Sequence, residues 1–226
     1  MQASAVNTAY ATQTAWVTGN GSDFGERTIC PHEALFHEGD ETDCLYEVIE
    51  GVLCAYKIFA DGRRQVISFA FPGDLVGFGQ GNAFRFDCDA VSRSRVRVIP
   101  KSQLLRAVRE NSDLGEKLLA VAAGEVANMQ DHSVLLGRKS AIEKLASFLL
   151  HLAGRADEDG FEGTRVPLPM TRADIADFLG LTVETVSRNM TKLRVMRVIN
   201  LPGSSIFEVL DMDRLRQIAD WEQNLH

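Results

Sequence analysis

MTRADIADFLGLTVETVSRNMTKLRVMRVI, residues 170–199, reads as a helix, a tight turn and a second helix. Thr171 stands where a first helix needs a cap, and Ile175, Ala176 and Leu179 recur at the spacing of one buried face. Gly180 falls where the backbone must reverse, and the small Ala176 lies where two helices would cross. Thr182 caps the second helix, which buries Val186 and Leu193 and turns Val183, Glu184, Ser187, Arg188 and Lys192 outward. A helix with that outer face suits the major groove of DNA. Arg188 has the geometry to donate a bidentate pair to guanine, Glu184 to accept from a cytosine amino group, and Ser187 to touch a thymine methyl or a base edge. Glu184 among basic neighbours is explained by readout, or by an ion pair that orients Arg188 four residues on, better than by attraction to phosphates.

Beyond the second helix, VINL, the turn Pro202-Gly203-Ser204-Ser205 and IFEVL predict a hairpin, followed by a last helix in DMDRLRQIADW. This is the pattern of a winged helix. The amides around Gly203 and the hydroxyls of Ser204 and Ser205 are placed to touch the phosphate backbone, and a purely structural hairpin remains equally open.

Charge fits this reading once its distribution is considered. The 226-residue chain carries a net charge of −7, which opposes a phosphate partner. Between Met170 and Asn200, however, Arg172, Arg188, Lys192, Arg194 and Arg197 outnumber Asp174, Asp177 and Glu184. A basic face on an acidic body directs DNA to one surface.

Upstream, the first two dozen residues, rich in Ala, Thr, Ser, Asn and Gly, read as a flexible tail. From Glu26 to Pro100 the chain is cut into short β-rich segments by Gly39-Asp40, Glu50-Gly51, Asp61-Gly62 and Pro72-Gly73-Asp74, the spacing of an antiparallel sandwich or barrel. The clearest hairpin joins VLCAYKIF to RRQVISFAF through Ala60-Asp61-Gly62. After Pro100 the pattern turns helical. A long helix is expected to start at Asp113, with Glu116 completing a capping box. Along it Leu119, Ala122, Val126, Met129, Ser133 and Leu136 form one stripe, while Leu118, Val121 and Leu135 lie beside it. One stripe suits a partner and the other its own domain; periodicity alone, over less than three heptads, favours an ordinary core helix. Gly137 and Arg138 end the run, and SAIEKLASFLLHLAGRA forms a second amphipathic helix with Ile142, Leu145, Phe148, Leu149 and Leu152 inside. The polar DEDGFEGTR follows.

Other classes fit poorly. The first residues lack the basic start and apolar block of an export signal and no long apolar run occurs, so a cytoplasmic protein without membrane contact is expected. Cys30, Cys44, Cys54 and Cys88 form no C-x-x-C pair and read as reduced thiols. A cupin-like jelly-roll enzyme would need clustered histidines, but His32, His37, His132, His151 and His226 are scattered. No nucleophile elbow or phosphate-cradling loop is present, so the chain is expected not to be an enzyme.

At these residues the sequence resembles the Crp/Fnr family of transcription regulators, from about Glu26 to the C-terminus. The glycines Gly39, Gly51 and Gly73, the words GDLVGF and TRADIADFLGLTVETVSR carry the likeness. The resemblance implies an α+β fold: a β-roll (jelly-roll) sensor-like domain of the cyclic-nucleotide-binding type, a long dimerisation helix and a winged helix-turn-helix. It divides the chain into a tail 1–25, a β-roll 26–112, a dimer helix 113–137 and a DNA-binding domain 138–226. The stripe Leu119, Ala122, Val126, Met129, Ser133 and Leu136 then becomes the homodimer seam.

Glu184, Ser187 and Arg188 match the E-x-x-S-R pattern of Fnr and FixK types, which implies a TTGAT-N4-ATCAA-like palindrome. By the same likeness Val183, Glu184, Ser187 and Arg188 read bases, while Thr171, Arg172, Thr182, Thr185 and Lys192 contact the DNA backbone. Asn189 departs from the apolar residue common at its position. Nucleotide-binding members carry F-G-E and then R-[ST]-A; here FGQGNAFRFDCDAVS puts Gln80 in place of the acid, and only Arg85 offers a substitute for the phosphate-binding Arg. Fnr-type cluster ligands are likewise missing: Cys30 stands alone near the N-terminus and Arg97 occupies the position expected for the core ligand. No cofactor is therefore expected, and the FixK-like subgroup is the best match, implying an activator that meets RNA polymerase and controls low-oxygen or nitrogen-fixation genes. A regulator gated by a small effector in the β-domain is the alternative within the same fold.

Overall fold

A computed structural model describes residues 24–78, 81–158 and 165–219. Most of the expected tail, Gln80 and most of the polar DEDGFEGTR stretch fall outside them. The chain forms two compact units, Met1–Asn128 and Met129–His226.

The first unit contains β1 (Glu26–Ile29), β2 (Ala34–Phe36), β3 (Cys44–Glu50), β4 (Leu53–Ile58), β5 (Arg64–Ala70), β6 (Leu75–Val76), β7 (Asp87–Ala90) and β8 (Ser94–Pro100). They pair antiparallel into two four-stranded sheets, β1-β8-β3-β6 and β2-β7-β4-β5. Between the sheets lie Ile29, Leu35, Phe36, Val48, Leu53, Val76, Phe84, Cys88, Ala90 and Val96, with the alternation of a strand kept at Cys88 and Ala90 and broken at Leu35 and Phe36 by the register shift between Ala34 and Phe36. Phe36 stacks on Phe84 with ring centroids 3.7 Å apart, and Tyr46 and Phe86 close around the same ring.

The hairpin read from Ala60-Asp61-Gly62 is β4–β5, with Ile58 opposite Arg64 and a bulge at Ala55/Tyr56. Gly62 takes φ +82°, and the Asp61 carboxylate accepts from the Arg63 amide at 3.1 Å. Gly51 is the stricter position. Its φ is +86°, and a Cβ there would come 2.5 Å from the Arg93 carbonyl and 2.6 Å from Ser94 Cα.

Strand β8 runs straight into α1 (Lys101–Glu110), a separate short helix that opens the helical region expected after Pro100. Pro100 at its N-cap supplies φ −60° and ψ 126°. The long helix, α2, then spans Ser112–Arg138. The expected capping box of Asp113 and Glu116 is replaced: the cap is Asn111, whose Oδ1 accepts from the Asp113 amide at 3.1 Å, so Asp113 already lies in the first turn. Leu118 and Val121 of α2 pack with Val108 of α1 on Leu45, Leu75, Ile99 and Leu104, on the outer side of the β1-β8-β3-β6 sheet. These are the neighbours assigned to the inward stripe.

The second unit holds the end of α2, then α3 (Ala141–Glu158), β9 (Arg165–Pro167), α4 (Arg172–Leu179), α5 (Val183–Val195), β10 (Ile199–Asn200), β11 (Ile206–Val209) and α6 (Met212–Ala219). The hairpin read from VINL and IFEVL is β10–β11, and β9 joins it as a third strand in the order β10-β11-β9. Leu145, Phe148, Leu149 and Leu152 of α3 are buried with Leu168, Phe207 and Leu215. Among the described residues no helix is long and apolar enough to cross a membrane.

Candidate nucleic-acid interface

Helix α4 begins with a full capping box. Thr171 Oγ1 accepts from the Asp174 amide at 3.1 Å, and Asp174 Oδ2 accepts in return from the Thr171 amide at 3.0 Å. Ile175, Ala176 and Leu179 are buried, as their spacing requires. Gly180 ends the helix at φ 61°, ψ 43°, the left-handed conformation that reverses the chain without a Cβ penalty.

Thr182 then caps α5, accepting from the Thr185 amide at 3.2 Å. Val186, Met190 and Leu193 form its buried face. Met190 was not singled out in the sequence; it supplies the apolar contact between Val186 and Leu193, so neighbouring Asn189 does not weaken the inner face. Asn189 is half-buried and donates its Nδ2 to the Thr185 carbonyl at 3.0 Å. The helix closes through Arg197, which takes φ 56° while the Val198 amide reaches back to the Leu193 carbonyl at 3.0 Å.

Opposite the buried face, Val183, Glu184, Ser187, Arg188 and Lys192 are all exposed on one helix. Thr191 and Val195 extend this surface and were missed by sequence reading, although both follow from Ser187 and Arg188 by steps of four and seven. Glu184 and Arg188 are not held by the ion pair their spacing suggested. Arg188 Nη2 donates to Thr185 Oγ1 at 3.3 Å, and Thr185 Oγ1 lies 3.1 Å from Thr182 Oγ1. Glu184's carboxyl is held below the usual carboxylate range first by its own backbone amide, then by the Thr182 hydroxyl, with the Arg188 charge contributing least.

The other assigned backbone-contact residues differ in setting. Thr171 and Thr182 are exposed, whereas Thr185 and Arg172 are half-buried. Burial lowers the Arg172 pKa, and its Nη1 is buried without a hydrogen-bond partner in the folded chain. Beside α5, Pro202, Gly203, Ser204 and Ser205 are exposed at the tip of the β10–β11 hairpin.

On α2, Leu119 is 71% exposed, Val126 54% and Met129 56%, with Ser133 also exposed and Ala122 and Leu136 half-buried. Such large apolar side chains in water along one helix stripe are unusual without a partner. Val134, 60% exposed, lies outside the assigned stripe.

A family model for the Crp-like helix-turn-helix domain matches residues 143–218, and one for the cyclic nucleotide-binding domain matches residues 13–111. The chain is 41% identical over 187 residues to the nitrogen fixation regulation protein FixK of Bradyrhizobium diazoefficiens, covering 83% of this chain and 78% of that protein. It is 42% identical over 190 residues to the transcriptional activatory protein AadR of Rhodopseudomonas palustris, covering 84% and 79%. The solved structure of FixK2 from Bradyrhizobium japonicum superposes with a TM-score of 0.81 at 34% identity, over 86% of this chain and 96% of that one. With the exposed face of α5 framed by a capped helix-turn-helix, these likenesses establish that the chain belongs to the Crp/Fnr family, in its FixK-like group, and is a DNA-binding transcription regulator rather than an enzyme.

Proposed function

We propose that the protein acts in the cytoplasm as a homodimer that binds a TTGAT-N4-ATCAA-like palindrome. In this reading Val183, Glu184, Ser187 and Arg188 of each protomer read bases in the major groove. Thr171, Arg172, Thr182 and Lys192 hold the phosphate backbone, with Thr185 at the same helix end. The observation that carries the proposal is the outer face of α5, where Glu184, Ser187 and Arg188 stand exposed directly opposite buried Val186, Met190 and Leu193. Dimerisation through Leu119, Ala122, Val126, Met129, Ser133 and Leu136 is supported by the exposure of Leu119, Val126 and Met129. The two-fold symmetry of such a dimer is what an inverted repeat requires.

The relatives named FixK and AadR support a role as an activator, meeting RNA polymerase, with low-oxygen or nitrogen-fixation genes as targets. Cyclic nucleotide is a poor fit to the β-roll. The stretch that supplies a phosphate-binding Arg in nucleotide-binding members here sends Phe84 into the core and packs Phe86 against it, both around Phe36, while Arg85 is exposed. An iron–sulfur cluster fits no better. Arg97 is paired with Glu47, and burial pushes the Cys88 thiol well up and the Cys44 thiol up, against the thiolate a cluster needs. Among the described residues no three His, Cys, Asp or Glu side chains gather into a metal cradle.

Selection of bound sequences from a random duplex pool tests the proposal. A recovered inverted repeat with TTGAT half-sites is the expected result, and enrichment of no symmetric motif would overturn it.

A further inference from the structure

We propose that Thr185 is a positioning residue for base readout, holding Arg188 through a one-way chain of hydroxyls that passes to Thr182 beside Glu184. The inference rests on the assignment of Arg188 as a base reader and goes on to say what aims it.

The chain follows from counting protons. A guanidinium only donates, so in the Arg188 Nη2 to Thr185 Oγ1 contact of 3.3 Å the threonine oxygen accepts. Its own proton then points to Thr182 Oγ1, 3.1 Å away. Thr182 Oγ1 already accepts from the Thr185 amide at 3.2 Å, and a second accepted bond fills its lone pairs. Its remaining proton is left for an acceptor outside this pair. In this order the Thr185 proton has its acceptor, and each bond polarises the next. Arg188, the donor among the readers, is thus tied to the helix cap rather than to Glu184 by a direct ion pair.

Position supports the same role. Thr185 is one turn before Arg188, where side chains meet on a helix surface, and it is half-buried, so water competes less for its hydroxyl. Its backbone carbonyl is taken by Asn189 Nδ2 at 3.0 Å, which fixes the turn that carries it. A long arginine held near its working direction before DNA arrives loses less freedom on binding. The hydroxyl of Thr185 therefore acts within the helix, while a contact to phosphate would affect all sequences alike.

The test uses the full chain and four variants: Thr185→Val, Thr185→Ser, Arg188→Ala and the double variant T185V/R188A. Binding is measured at one salt concentration to an inverted-repeat duplex and to the same duplex with the Arg188-read base pair changed. Thr185→Val is expected to reduce preference for the first duplex by roughly three- to tenfold, with affinity for the second nearly unchanged. Thr185→Ser, which keeps the hydroxyl, is expected to restore the preference, and T185V/R188A to match Arg188→Ala alone. Equal weakening on both duplexes, or a further loss in the double variant, would overturn the positioning role in favour of a phosphate contact. A Thr185→Val chain with the full wild-type preference overturns this inference alone. A wild-type chain without any operator preference overturns the base-reading assignment and this inference together.

Discussion

Glu47 and Arg97 stand directly opposite each other on β3 and β8, and the Arg97 guanidinium binds the buried Glu47 carboxylate while also lying 3.8 Å from Glu26. The side chain of Glu47 is only 7% exposed. Removing one partner of a buried pair leaves the other desolvated and unpaired. Glu47→Ala is therefore expected to cost about 3 kcal/mol of stability, softened by Glu26, in urea unfolding of the purified protein. A loss below about 1 kcal/mol would show that the pair is exchangeable with water.

His132 of α2 lies flat on Phe178 of α4, ring centroids 4.1 Å apart at 9°, with its Nε2 donating to the Phe178 carbonyl at 3.0 Å. Desolvation lowers its pKa below the usual 6.5, the Phe178 carbonyl opposes that shift, and Lys144 adds slightly to it. The folded state then binds a proton less readily than the unfolded chain, so stability is full above about pH 6.5 and declines as pH falls through the window below it. The thermal midpoint should drop between pH 7 and 5.5, and His132→Gln should flatten that part of the profile. An identical slope in both proteins would assign the acid sensitivity elsewhere.

Gly51 and Gly62 share a positive φ but not a setting. At Gly62 nothing lies within 4 Å of an added Cβ, so Gly62→Ala should cost about 1 kcal/mol for the backbone alone. At Gly51 the added atom meets backbone, and Gly51→Ala should exceed about 3 kcal/mol or prevent folding of the β-roll. Circular dichroism during denaturant titration ranks the two, and a reversed order would refute the steric account.

Met129→Glu places a charge in the middle of the assigned seam. Sedimentation should show a shift from dimer to monomer, accompanied by at least a tenfold loss of operator affinity, on the order of 1.4 kcal/mol or more, because one head reads only a half-site. An unchanged sedimentation profile would move the interface away from this stripe.

Arg188→Ala should remove discrimination among operator variants, at about 1–3 kcal/mol for the lost bidentate contact, whereas Lys192→Ala should weaken all duplexes alike. Competition binding with a panel of single-base variants separates the two patterns. If Arg188→Ala preserved the ranking of the panel, another residue would be the reader.

The features most legible in the sequence were those fixed by local chemistry. Thr171, Gly180 and Thr182 punctuate the helix-turn-helix in ways few other residues allow, and the Asp61-Gly62 turn announced its hairpin. What depends on distant partners was less readable. β9 is three residues long and exists because β11 pairs with it, so Arg165-Val166-Pro167 carry no local strand signal of their own. Helix α1 is short and follows a proline, and Asn111 outcompeted Asp113 as a cap because both lie at the same chain reversal. Around the candidate interface, spacing identified the outward residues correctly, but it could not reveal that Arg188 turns to Thr185 instead of Glu184, since both are within one helical turn.

The ring stack of Phe36 on Phe84 has a consequence for how information enters the molecule. A guest admitted between the sheets would have to evict an aromatic ring from an interior packed as densely as an organic crystal. The same filled roll carries the start of the long helix on the outer side of one of its sheets, so the helix rests on an interior that is already packed.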